Sequence, residues 1–130
     1  MDAGELRVLI VDDHDVYRHG LVQLLAEQAI DVVAQASSGA AGVRLAAELA
    51  PDVVLMDLSM PGLSGLEATR EILAADAAAR VVILTLSDDD QSMLDALLAG
   101  AVGYVLKDAT LDQIVAAIRA AAAGDAVIPP

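Results

Sequence analysis

A chain of 130 residues is long enough for one domain with a buried core, and with no cysteine it has neither a disulfide framework nor a thiolate metal site. Its formal net charge of −13 opposes direct nucleic-acid binding, which needs Lys and Arg to displace counterions from phosphates. The only aromatic residues are two tyrosines, Tyr17 and Tyr104, so bases and flavin rings would find no stacking platform.

Apolar runs alternate with helical patterns along the chain. Its opening, MDAGELR, lacks the apolar centre of a signal peptide. Leu6–Val11 reads as a buried strand, after which Tyr17, Leu21, Leu24 and Leu25 fall at helical spacing. Asp31–Ala36 is a second strand, and Ala40–Leu49 a helix that Pro51 cannot extend. Val53–Met56 is a third strand; Ser64 and Glu67 then have capping-box spacing, opening a helix to about Ala75. Val81–Thr85 is a fourth strand, followed by a helix over Asp88–Ala99 that Gly100 closes. Val102–Leu106 is the fifth strand, and Thr110 with Gln113 forms a second capping box, opening a helix that ends at Gly124.

Five such β–α units imply an α/β fold: a doubly wound, five-stranded parallel sheet of order 2-1-3-4-5, flavodoxin-like. Residues 1–124 form the domain, and 125–130 a tail or the start of a linker. The charge-free runs Val32–Val43 and Ala96–Leu106 fall short of the about 20 apolar residues that span a bilayer, so a cytoplasmic protein is expected.

In this fold, ligands bind beyond the carboxyl ends of the strands. Those ends carry Asp12 and Asp13, Asp57, Thr85, and Lys107, the only lysine in the chain. Three carboxylates suit a hard dication such as Mg²⁺, with no Cys or His set for zinc. Lys107 and Thr85 suit a phosphoryl ligand, and a carboxylate can itself be the nucleophile, as in aspartyl-phosphate chemistry. Asp57, between the acids of the first strand and the hydroxyl of the fourth, is the candidate nucleophile. Taken singly, each of these residues reads more blandly: Asp12 as a solvated cap, Thr85 as a strand residue, Tyr104 as packing. His14 and His19 read as polar contacts of the first helix, and Asp88–Asp90 as a complement to a helix dipole.

The stretches VLIVDDH, DVVLMDLSMPGLSGLEATREI, VVILTLSDDD and AGAVGYVLKD resemble the receiver domain of two-component response regulators, closest to the NarL/FixJ (LuxR-type) subfamily. The resemblance implies that Asp57 accepts a phosphoryl group from a sensor histidine kinase. It implies that Asp13, Asp57 and the Ser59 backbone carbonyl hold Mg²⁺, with Asp12 acting through metal-bound water. Thr85 would close on the phosphoryl oxygen, Lys107 would pair with it, and Tyr104 would change rotamer as the readout. The chain would be a transcription switch with no enzymatic role beyond phosphoryl acceptance and autodephosphorylation at Asp57. It would reach DNA only through a helix-turn-helix domain outside this sequence and could form a homodimer on phosphorylation.

Three positions depart from the family pattern. Leu86 is larger than the usual residue after the switch threonine, Asp15 adds charge near the metal, and Asp108 replaces a proline that eases a cis bond after Lys107. Rival readings are a stand-alone receiver, a phosphate-independent binding module, an aspartyl-phosphate hydrolase and a flavin carrier. The hydrolase would want an acid where Ser59 stands, and the carrier would want aromatic stackers.

Overall fold

The structure is a computed structural model that describes residues 5–86 and 89–127. In chain order its elements are β1 (Leu6–Val11), α1 (Asp15–Ala26), β2 (Ile30–Ala36), α2 (Gly39–Leu49), β3 (Val53–Met56), α3 (Gly65–Ala75), β4 (Val81–Thr85), α4 (Asp90–Leu98), β5 (Gly103–Leu106) and α5 (Leu111–Ala122). The five strands form one parallel sheet in the order β2-β1-β3-β4-β5, as expected. β1, β3 and β4 keep the bounds of the sequence reading, and the ends of other elements move by one or two residues. Asp88 lies outside the described residues, and Asp89 caps α4 by accepting from the Ser92 N–H at 2.9 Å.

Strand alternation divides the core between the two faces of the sheet. Val8, Ile10, Val53, Leu55, Val82, Leu84 and Val105 pack with α1 and α5, against Leu21, Leu25, Ile114 and Ile118. Leu9, Val11, Val54, Met56, Val81, Ile83 and Tyr104 pack on the other face, with Ala68 and Ile72 of α3 and Ala96 of α4. Burial of both faces is why these strands read as continuous apolar runs rather than alternating ones.

Local signals set the helix ends. Both expected capping boxes form, at Ser64–Glu67 and Thr110–Gln113. Gly100 and Gly124 sit at φ +106° and +93°, backbone that a Cβ disfavours. The segment after Gly124 turns back onto the sheet: Val127 donates to the Val102 carbonyl at 2.8 Å and accepts from the Tyr104 N–H at 2.9 Å, bridging in parallel to Gly103. Residues 125–127 therefore cover part of the β5 edge.

Candidate functional site

Backbone pairing brings the polar residues together at the carboxyl ends of the strands. Asp12 continues the β1 ladder, its N–H donating to the Ala36 carbonyl at 2.9 Å, and the Asp57 N–H donates to the Val11 carbonyl at 2.9 Å. The Lys107 N–H donates to the Thr85 carbonyl at 2.7 Å. The loop after β3 is held close by Gly65, where a Cβ would stand 2.1 Å from the Asp57 carbonyl oxygen and 2.8 Å from Leu58 Cα. Only glycine allows α3 to start that near the Asp57 backbone.

The β1–α1 loop is pinned by Arg18, a buried guanidinium that donates to the Asp12 carbonyl, to Gln35 Oε1 at 2.9 Å and to Asp15 Oδ1 at 2.8 Å. Asp15 was expected to add charge near the metal, and it does not join the acidic group. It occupies the first turn of α1, where Arg18 three residues on draws its carboxylate into an ion pair.

Asp12, Asp57 and Lys107 are 1%, 2% and 8% exposed, so the cluster is a buried one. Lys107 Nζ lies 2.7 Å from Asp12 Oδ2 and 3.6 Å from Asp57 Oδ2, and 4.9 Å over the centre of the Tyr17 ring. The 2.7 Å contact is a close ion pair, and Asp13 Oδ1 and Asp57 Oδ2 accept no hydrogen bond. The Ser59 N–H donates to Asp57 Oδ1 at 3.3 Å, folding the exposed Ser59 turn back over the carboxylate.

Burial, and then the neighbouring Asp12 charge, hold Asp57 above the ordinary carboxylate range. Lys107, the Ser59 N–H and His14 act in the opposite direction, and the two raising effects win. Burial, Asp12 and Asp57 together push the Tyr17 phenol up to about 12. The pocket is under-supplied with positive charge.

Thr85 and Tyr104 are also buried, at 2% and 1% exposure, and Tyr104 packs in the core on the sheet face of Leu9, Val54 and Met56. Thr85 pairs with Leu106 and Tyr104 with Ile83, so the two are diagonal neighbours on one face. His14 is the residue that the sequence reading set aside. It is the N-cap of α1, yet its side chain makes no cap hydrogen bond. Its ring turns to the acids instead, with Nδ1 3.0 Å from Asp12 Oδ1, 3.6 Å from Asp13 Oδ1 and 3.7 Å from Asp57 Oδ2. The described residues contain no cis peptide bond, so the Lys107–Asp108 bond is trans. Leu86 is 72% exposed.

The residues fit a divalent cation. Asp12, Asp13, His14 and Asp57 offer donor atoms all within 4.8 Å of one another. Opposed oxygens around an ion at 2.0–2.4 Å are at most about 4.8 Å apart. Three carboxylates against one ammonium leave two negative charges, the number that a dication balances.

Comparison with known proteins gives the family. Residues 8–119 match the family model described as a response regulator receiver domain. The chain is 45% identical over 126 residues to the response regulator GacA of Pseudomonas aeruginosa, covering 96% of this chain and 59% of GacA. It is 38% identical over 122 residues to the nitrate/nitrite response regulator NarL of Escherichia coli, covering 93% of this chain and 56% of NarL. The chain thus spans under two thirds of the length of these curated relatives. A solved two-component response regulator of the LuxR family from Aurantimonas superposes with a TM-score of 0.93 at 40% identity, over 98% of this chain and 91% of that one.

Proposed function

This chain belongs to the receiver domains of response regulators, of the NarL/FixJ type, and on that premise we propose that it is a phosphorylation-activated switch whose acceptor is Asp57. The observation that carries this reading is Asp57 Oδ2, buried, without a hydrogen bond, and facing the only lysine of the chain at 3.6 Å.

In the transfer, an Asp57 oxygen attacks the phosphorus of a phosphohistidine on a sensor kinase. A P–O bond forms, the P–N bond breaks, and its electron pair returns to the departing imidazole. Asp13, Asp57 and the Ser59 carbonyl would hold Mg²⁺ with Asp12 behind them, supplying charge neutralisation and orientation of the phosphoryl oxygens. Lys107 moves its ammonium from the carboxylates to a phosphoryl oxygen as a point charge. Thr85 donates its hydroxyl to another oxygen, and Tyr104, diagonal to it on the same face, repacks in response.

The surface around α4, β5 and α5 would carry this change to a partner, which must distinguish the two states for the switch to work. Output through a helix-turn-helix domain following residues 125–130, phosphorylation-dependent homodimerisation and a cytoplasmic location complete the proposal. The described residues contain no helix long and apolar enough to cross a membrane. The domain acts as a signal carrier, its chemistry limited to gaining and losing one phosphoryl group.

Incubation with acetyl phosphate and Mg²⁺, followed by intact-mass spectrometry, checks the reading. One added phosphoryl group is expected, absent when a chelator is present. An unchanged mass, with Mg²⁺ also failing to raise the melting temperature, would favour a binding module that works without phosphate.

A further inference from the structure

We infer that His14 supplies a nitrogen ligand to the cation of this pocket, so that the site takes borderline transition-metal dications such as Co²⁺, Ni²⁺ or Zn²⁺ in addition to the Mg²⁺ of the switch. The inference rests on the reading of the acids as a cation site and names a donor beyond the carboxylates. The position of Nδ1 is the first argument. It stands 3.0, 3.6 and 3.7 Å from one oxygen of each of Asp12, Asp13 and Asp57. Neighbouring donors around an ion held at about 2.1 Å are separated by about 3.0 Å in an octahedron and about 3.4 Å in a tetrahedron. The imidazole nitrogen and the three oxygens already stand close to the spacing of a shared ion.

The second argument is that Nδ1 has more neighbours than it can satisfy. Asp12 Oδ1 and Lys107 Nζ both lie 3.0 Å from it. With a proton, Nδ1 donates to Asp12 and confronts the ammonium; without one, it accepts from Lys107 and confronts the carboxylate. A cation on the Nδ1 lone pair, shared with Asp12 Oδ1, takes the place of the Lys107 ammonium, which swings away from that nitrogen as it does in the proposed phosphoryl transfer. Two buried oxygens that accept no hydrogen bond, Asp13 Oδ1 and Asp57 Oδ2, lie beside the same nitrogen.

The backbone holds His14 for this role. Its N–H donates to Asp12 Oδ1 at 2.9 Å, fixing the loop, while its side chain is 55% exposed and has room to turn. Imidazole favours the later first-row dications, whereas Mg²⁺ takes oxygen ligands. Removing the ring therefore separates the two classes of metal.

The test is a pair of titrations, with Mg²⁺ alone and with Co²⁺ alone, on wild type, His14→Ala and His14→Asn. Melting temperature and the visible ligand-field bands of Co²⁺ serve as readouts, and His19→Ala is the control for surface chelation. The expected result is a loss of Co²⁺ affinity of about tenfold or more in both His14 variants, with altered Co²⁺ bands, and Mg²⁺ affinity held within about threefold. Equal changes for the two metals, or equal loss of Co²⁺ in the His19 variant, would overturn the inference and leave the Mg²⁺ site standing. Failure of wild type to bind either metal would overturn both.

Discussion

Lys107→Met is expected to destabilise the domain by about 3–5 kcal/mol at neutral pH in chelator, the cost of breaking a buried ion pair from one side. Lys107 lies 2.7 Å from Asp12 and 3.6 Å from Asp57, both nearly fully buried. The methionine stem keeps most of the packing over Tyr17, so the charge is what is lost. Two buried carboxylates then face each other without the ammonium between them. Protonation limits the damage: holding one carboxylate neutral at pH 7 costs about 4 kcal/mol, at 1.36 kcal/mol for each of about three units. Both routes give the same scale.

The sign with pH follows from the same groups. Without the ammonium, the folded state prefers protonated carboxylates more strongly than the unfolded chain does. The variant's deficit is smallest in acid and grows as pH rises through the carboxylate range. Urea melts of wild type and variant at two pH values, with and without Mg²⁺, measure this. A deficit under about 1 kcal/mol at neutral pH would mean that Lys107 behaves as an exposed surface charge.

Asp57→Asn acts in the opposite direction. Burial and the Asp12 charge raise the Asp57 pKa in the folded state. Stability from a group so raised is present below its unfolded value and lost as pH climbs to the folded one. The asparagine form avoids this loss, so without divalent cation it should exceed wild type by on the order of 1 kcal/mol at neutral pH and show no such gain in acid. Lys107 loses little, since its closer partner is Asp12. Mg²⁺ should narrow or reverse the difference, because it stabilises the carboxylate form alone. Thermal melts across pH in chelator check the prediction; a variant less stable than wild type at neutral pH would show that Asp57 is well compensated.

Much of this pocket is legible in the sequence. Five apolar runs separated by helical patterns imply the strand order, and that order alone brings Asp12, Asp57 and Lys107 to one edge of the sheet. The capping boxes at Ser64 and Thr110 were legible because they depend on residues only three apart. Side-chain choices that depend on packing were not. Asp15 reads as one more acid of the cluster until Arg18 is seen to draw it away. His14 follows two aspartates in sequence, which was the available signal, yet its place on the first helix suggested a surface contact. Only its extended N-cap backbone turns the ring toward the acids. The buried role of Arg18 required Gln35, from the neighbouring strand, to be in place. The pairing of Val127 with β5 is a long-range backbone contact that no local motif announces.

Among several neighbouring acids, Asp57 is the proposed phosphoryl acceptor. Treating the protein with acetyl phosphate and Mg²⁺, reducing it with borohydride and mapping its peptides by mass spectrometry tests this directly, since reduction of an acyl phosphate leaves homoserine where the aspartate stood. Homoserine is expected at position 57 and at no other. Homoserine at position 12 or 13, or phosphoryl uptake that persists in Asp57→Asn with wild-type yield, would contradict it.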